Sequence, residues 1–309
     1  MVAAVVRHLP RRVALAFGRS LGRLLADLDR RHVAIAVDNL GRAFPDWGNS
    51  RARRTAHGVY AHFGQTLLDI LWLSGKPKET ALALVDEEGH QHVEAARARG
   101  RGTVFVTAHI GNWELYGVVH GWLSPPVGVV ARPLDNPALD RRLCDFRTRS
   151  GNTVIYKQRA LVQVLRRLKD GGDVAILVDQ HVQEQDGIFV DFFGRPAATT
   201  TVAAALAVKT GAALVAAHCE ATPDGRYRLV YGPPLDWTPS GDRQRDIAEL
   251  TQRLTTTIEG WVRAVPEQWL WMHRRWKTQP SATWERSAVS DQPSAGKDQQ
   301  SGGGGRGEA

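Results

Sequence analysis

Residues 103–114 read TVFVTAHIGNWE, an apolar, strand-like run that ends in His109, with Glu114 following shortly after. In α/β sheets functional groups gather beyond the carboxyl ends of strands, and His109 falls at such an end. Gly111-Asn112 has the character of a turn in which Asn112 caps the next helix. Glu114 then lies in that helix's first turn. Were 109–114 wholly helical, the two side chains would stand ~140° apart around the axis and could not meet; with His109 in the loop they can. A carboxylate on one imidazole nitrogen fixes the tautomer and stabilises the imidazolium, and the other nitrogen is left to take a proton. That is two thirds of a triad. The alternative is a histidine that serves only its own loop, with Glu114 favoured at a helix start by the dipole.

A protein nucleophile is hard to find. Gly18-Arg19-Ser20-Leu21-Gly22 has the G-x-S-x-G spacing, but a nucleophile elbow needs a core strand before it and a helix after it. This string lies inside an amphipathic N-terminal segment. A serine hydrolase built on Ser20 is therefore a minor alternative. Cys144 and Cys219 sit in apolar-periodic segments with no CxxC or Cys/His zinc spacing around them, which suits buried free thiols and gives no metal site. The pattern favours a His–Glu pair that activates a hydroxyl belonging to the substrate, with no metal and no cofactor.

Other residues have the chemistry to assist. Arg132 follows an apolar strand and precedes Pro133; a guanidinium there is suited to a phosphate or a developing oxyanion, or is a solvated loop arginine. Arg147 falls on a helix, as a substrate ligand or an ion-paired arginine. Asp179-Gln180 ends another apolar strand, for substrate contact or a structural hydrogen bond. Asn112 is grouped with these four as a substrate-binding candidate. Phe192-Phe193-Gly194 and Thr199-Thr200-Thr201 suit an acyl groove and a helix cap, or core phenylalanines and an N-cap. Residues 269–277, WLWMHRRWK, mix aromatics with cations. Trp269, Trp271, Arg274, Arg275 and Trp276 are the candidates for contact with a bilayer interface or an acidic carrier protein; the alternative is a core tryptophan cluster with a basic edge. No helix-turn-helix, zinc or RNP pattern supports nucleic acid.

The elements that position these residues follow from periodicity. The 309 residues are 43% hydrophobic with a net charge of +8, enough for a substantial core and a bias toward anionic partners. No stretch approaches the ~20 apolar residues that span a bilayer, and no signal-peptide core is present. Pro10 opens a helix to about Leu28, with Val13, Phe17, Leu21, Leu24 and Leu28 on one arc and Arg12, Arg19, Arg23 and Arg30 on another. Such a helix suits an anionic membrane surface or an ordinary core-facing position. A second long helix covers Arg51–Leu73. Strands are expected at 103–108, 127–131, 152–156, 173–179, 213–219 and 227–231, and helices at 90–98, 113–122, 137–149, 159–170, 199–210 and 242–264. Runs apolar on both faces and separated by helices predict an α/β fold with a central mostly parallel or mixed sheet flanked by helices, preceded by N-terminal amphipathic helices. The expected organisation is a membrane-associating helix over 1–30, a catalytic domain over 31–286 and a disordered, Gly/Ser-rich tail over 287–309.

AHIGNWE, with its H-x4-E spacing, resembles the signature of the bacterial lipid A biosynthesis acyltransferases, the lauroyl and myristoyl acyltransferases of the lysophospholipid acyltransferase superfamily. The spacing alone is a weak pattern. DNLGRAFPDW (38–47), ARPLDNPALDRRLCDFRTRSG (131–151), ILVDQ (176–180) with FVDFFGRPAATTT (189–201), and PEQWLWMHRRWKTQP (266–280) resemble further family blocks in family order. The resemblance implies direct O-acyl transfer from a fatty acyl thioester, usually on acyl carrier protein, with coenzyme A as the other donor. The acceptor would be a hydroxyl of a lipid A precursor or similar anionic glycolipid. His109 would be the general base oriented by Glu114. The work would be done at the cytoplasmic face of the inner membrane. Family members usually carry a hydrophobic N-terminal anchor, whereas this chain begins with an arginine-interrupted segment, so the expected attachment is peripheral or monotopic. Other acceptors, such as a mannosylated phosphatidylinositol or an amino-acid lipid, keep the mechanism. A non-catalytic basic membrane-binding protein does not.

Overall fold

The computed structural model describes residues 2–156 and 160–280, with side chains from residue 5 onward. The expected tail, 287–309, lies outside the described residues. The chain opens with helices α1 (Val2–His8), α2 (Arg11–Leu28), α3 (Arg30–Ala43), α4 (Asn49–Leu73) and α5 (Lys78–Leu82). Alternation then sets in: β1 (Val85–Glu88), α6 (His90–Ala98), β2 (Thr103–Thr107), α7 (Trp113–Leu123), β3 (Gly128–Ala131), α8 (Pro137–Thr148), β4 (Thr153–Tyr156), α9 (Ala160–Lys169) and β5 (Asp173–Leu177). The hairpin β6 (Ile188–Phe192) and β7 (Arg195–Thr199) follows, then α10 (Val202–Thr210), β8 (Ala213–Ala221), β9 (Tyr227–Pro234) and α11 (Arg243–Ala264).

Among the described residues, seven strands form one sheet in the order β1-β9-β8-β2-β5-β3-β4. β8, β2, β5, β3 and β4 run parallel, while β9 is antiparallel to β8 and parallel to β1. The fold is thus the mixed, mostly parallel α/β sheet that the apolar runs predict. β2 lies at its centre with every residue buried, as a strand covered on both faces requires. Side chains of β2 alternate between two cores: Val104 and Val106 face one, Phe105 the other.

The helix starts follow local chemistry. Asn112 Oδ1 accepts from Leu115 N at 3.0 Å, Asn136 caps α8 through Ala138 and Leu139, and Asp242 caps α11 through Gln244 and Arg245. The helix expected over 199–210 begins only at Val202, because 195–199 is a strand: Phe193 (φ 58°) and Gly194 (φ 70°) make a two-residue hairpin turn that pairs β6 with β7. Phe192 and Phe193 are buried in the core, so they are packing residues and not the walls of an acyl groove.

The face of α2 that packs inward is its small-residue face. Ala14, Gly18, Gly22 and Ala26 are buried, and α2 meets α4 at backbone contact. A Cβ on Gly22 would lie 2.1 Å from the Tyr60 carbonyl oxygen, and one on Gly64 2.2 Å from that of Gly18. The larger apolar residues point outward: Val13, Phe17, Leu24 and Leu28 are 50–71% exposed. Among the described residues no helix is long and apolar enough to cross a membrane.

Candidate active site

His109 stands two residues beyond β2, and Asp179 two residues beyond β5. These strands pair in parallel with Thr107 opposite Leu177, so the same register sets His109 abreast of Asp179. Asp179 Oδ1 lies 2.8 Å from His109 Nδ1, and its Oδ2 accepts from the His109 backbone N–H at 2.9 Å and from the Trp269 indole N–H at 2.8 Å. The carboxylate is fully buried. Burial alone would raise its pKa, but the charge and hydrogen bonds of His109, together with His273, hold it well below the ordinary carboxylate range. An ionised Asp179 accepting at Nδ1 fixes the proton there and leaves the lone pair on Nε2. The ring remains 22% exposed. Near Nε2 stands the Gln180 amide, at 3.5 Å, too long for a firm hydrogen bond.

The expected His109–Glu114 pairing is corrected by this geometry. Glu114 lies in the first turn of α7, but its carboxylate is engaged by Arg147 of α8 through Nε at 2.7 Å and Nη2 at 2.5 Å, and by the Trp113 indole N–H at 3.1 Å. The helix cap turns Glu114 toward α8 while strand register delivers Asp179 to His109. Arg147 is accordingly the ion-paired arginine, bidentate and mostly buried. Glu114 and His109 both touch one residue that sequence reasoning passed over: Trp113, whose indole N–H donates to Glu114 and whose ring stands edge-on to His109 with centroids 5.1 Å apart. Its place inside the AHIGNWE string was the available signal.

The turn itself is tightly specified. Gly111 has φ 59°, and a Cβ there would fall 1.9 Å from the Cys219 carbonyl oxygen, so only glycine fits. His62 of α4, also passed over, has Nε2 3.2 Å from the Gly111 carbonyl oxygen. Burial pushes its pKa down to about 4, partly opposed by that bond, so it is a neutral donor that steadies the loop. Asn112 is fully buried, with its oxygen capping α7 and its amide nitrogen 3.2 Å from the Tyr227 hydroxyl. It is a cap, as expected from the turn, and is closed to substrate.

The aromatic-basic segment is also corrected. Trp269, Trp271, Trp276 and Arg275 are all at most 5% exposed. The chain there adds to the sheet opening: Gly111 N–H donates to the Gln268 carbonyl and Leu270 N–H to the His109 carbonyl. That pairing turns the indoles into the core, where Trp269 holds Asp179 and Trp271 donates to the Pro266 carbonyl. Of the five proposed surface residues only Arg274 is exposed. Arg132, beyond β3, is 72% exposed and makes a surface pair with Asp135 at 2.7 Å.

The site is therefore a buried carboxylate, an oriented imidazole with one open nitrogen, and a supported turn. Among the described residues no serine, threonine or cysteine hydrogen-bonds His109. Cys219 is buried, which pushes its thiol pKa far up, and Ser20 is exposed on α2 with no strand before it. No cluster of metal-ligating side chains is present among the described residues. The arrangement can remove a proton from an incoming hydroxyl.

Residues 1–278 match the profile of the family described as bacterial lipid A biosynthesis acyltransferase. The chain is 29% identical over 278 residues to the lipid A biosynthesis lauroyltransferase of Escherichia coli K12, covering 89% of each chain. It is 27% identical to the palmitoleoyltransferase of that organism, covering 88% of each. It is also 34% identical over 195 residues to the phosphatidylinositol mannoside acyltransferase of Mycobacterium tuberculosis, over 61% of this chain and 58% of the relative. With a match that spans nearly the whole chain, this protein belongs to the bacterial lipid A biosynthesis acyltransferase family and is an acyltransferase.

Proposed function

We propose that the protein transfers a fatty acyl chain from an acyl carrier protein thioester to a hydroxyl of a lipid A precursor. The observation that carries this reading is the His109–Asp179 pair, with Nε2 open at the carboxyl edge of the sheet. The acceptor hydroxyl gives its proton to Nε2 as its oxygen attacks the thioester carbonyl carbon. The tetrahedral intermediate collapses with cleavage of the C–S bond, and the thiolate leaves and takes the proton from the imidazolium. No acyl-enzyme forms. Such general-base assistance contributes about 10²–10⁴-fold. Asp179 orients the base. Glu114 and Arg147 brace the turn and Trp113 beside it. Gln180, next to Nε2, contacts the bound hydroxyl. Arg132, held only by an exposed pair of little energetic weight, is free to turn toward a phosphate or the developing oxyanion.

The outward apolar arc of α2, flanked by Arg12, Arg23 and Arg30, attaches the enzyme to the anionic cytoplasmic face of the inner membrane. Coverage favours the lipid A-type acceptor, since the lauroyltransferase aligns over 89% of this chain. The higher identity to the phosphatidylinositol mannoside acyltransferase favours a second acceptor of the same chemistry. Incubation of acyl carrier protein bearing a radiolabelled acyl chain with extracted lipids, and with each purified acceptor, separates the two, because the labelled product identifies the acceptor. A labelled lipid of neither class would overturn the acceptor assignment, and absence of any labelled lipid would overturn the function.

A further inference from the structure

On α3, Arg31, Ala34, Ile35, Asp38 and Arg42 recur at three- and four-residue intervals and so share one face. That face forms one wall of a cavity of about 650 Å³, whose other wall is the C-terminal segment with Arg274, Trp276 and Lys277. Ala34, Ile35 and the buried Trp276 give an apolar lining, and four cations stand against a single acid, Asp38. Asp38 is taken up by Arg42 at 2.9 Å. Arg31, Arg274 and Lys277 have no ion pair among the described residues and are exposed. The two walls are fixed to each other: the buried amide of Asn39 donates to the carbonyls of Trp271 and His273 at 2.8 and 2.7 Å. Arg31, Arg274 and Lys277, without a counter-charge among the described residues, give this braced, partly apolar cavity a positive field that favours an anion.

One hydrogen bond ties the cavity's C-terminal wall to the segment that follows Asp179 and Gln180. Thr278, between two of the cavity's lining residues, has its hydroxyl 2.6 Å from His181 Nε2, and His181 follows Gln180. Burial first, then the charges of Lys277 on the cavity wall and of the buried Arg275, lower the pKa of that histidine.

We infer that this cavity is a phosphate-binding subsite, in which Arg31, Arg274 and Lys277 hold the phosphate of a molecule whose other end reaches His109. The inference rests on the acyl-transfer reading for its biological meaning, but phosphate binding is measurable without turnover. Two sources carry the required chemistry: the phosphate of the donor's pantetheine arm and the phosphate of the acceptor's headgroup. Guanidinium–phosphate contacts form forked, charge-assisted bonds, and the apolar lining accepts the carbon skeleton beside the phosphate.

The test is titration calorimetry on the full chain with 4′-phosphopantetheine against pantetheine, and with glucosamine 1-phosphate against glucosamine. Inorganic phosphate is the common reference. The wild type should bind one phosphorylated probe at least tenfold more tightly than its phosphate-free counterpart. The probe that shows this preference names the source. Arg31→Gln with Lys277→Gln should abolish the preference, and Arg274→Gln alone should weaken it several-fold; circular dichroism verifies that each variant is folded. His109→Ala should retain it in full. Preference for neither phosphorylated probe, or a preference unchanged in the double variant, overturns the subsite. Phosphate preference without acyl transfer would leave the subsite standing and remove the acyl-transfer reading, and the converse would do the opposite.

Discussion

Asp179→Asn separates the orientation of His109 from the packing around it. The carboxylate accepts three hydrogen bonds, from the His109 backbone, the His109 ring and Trp269. Asparagine has the same shape but only one acceptor oxygen. Set in the Oδ2 position, that oxygen keeps the two bonds from the backbone and the indole. The amide nitrogen then faces Nδ1 as a donor, and the ring proton must move to Nε2. The lone pair that takes the substrate proton is lost while the fold is kept. The expected loss is that of general-base assistance, about 10²–10⁴-fold in kcat, or about 2.7–5.4 kcal/mol at 1.36 kcal/mol per tenfold. The assay is initial-rate transfer of labelled acyl chains from acyl carrier protein, alongside near-ultraviolet circular dichroism. A well-folded Asp179→Asn enzyme with turnover within threefold of wild type would refute the assignment of Asp179 as the orienting group.

Three further outcomes follow from the packing. Glu114→Ala leaves Arg147, only 17% exposed, without its counter-charge, and should lower the unfolding free energy by about 3–5 kcal/mol in urea denaturation; unchanged stability would contradict the bracing role. Phe17→Glu with Leu24→Glu should weaken binding to anionic vesicles at least tenfold in flotation assays, because both side chains are more than half exposed; equal binding would move the docking surface elsewhere. His62 and His273 are held down to about 4, and His120 to about 3, each by burial first. They are neutral in the folded protein, whereas in the unfolded chain they bind protons near pH 6.5. Stability is therefore full above pH 6.5 and falls as the pH drops toward 4, by up to about 4 kcal/mol per pH unit for the three together. Urea midpoints that stay level from pH 7 to 5 would contradict this.

Much of this architecture was legible because it is locally encoded. TVFVTA, DVAILVD and ALVAAHC carry apolar residues at both odd and even positions, as a strand covered on both faces requires. Asn112, Asn136 and Asp242 announce their helices by side-chain capping. His109 was legible for the same reason, as a polar residue at the end of such a run. Its partner was not. Asp179 reaches it only because β5 pairs with β2 in a given register, and nothing local distinguishes that neighbour from any other strand. Glu114, nearby in sequence, was the natural candidate, but a cap directs it to Arg147.

The tryptophans of 269–276 misled in the same way. Composition alone suits an interface, while backbone pairing to 109–111 buries them. β1 (VDEE) went unseen because it is a half-exposed edge strand with three acids, and the β6–β7 hairpin because Phe193, in place of asparagine or glycine, opens its turn. On α2, periodicity identified the apolar arc, but only the glycine contacts with α4 determine which face turns outward.

The most direct test of the central claim is acyl transfer by wild type beside His109→Ala, with the folded state of both verified by circular dichroism and thermal unfolding. The account predicts a labelled glycolipid from the wild type, none above background from the variant, and no label retained on either protein after denaturation. Near-normal transfer by His109→Ala, or label covalently held by the wild-type chain, would contradict it.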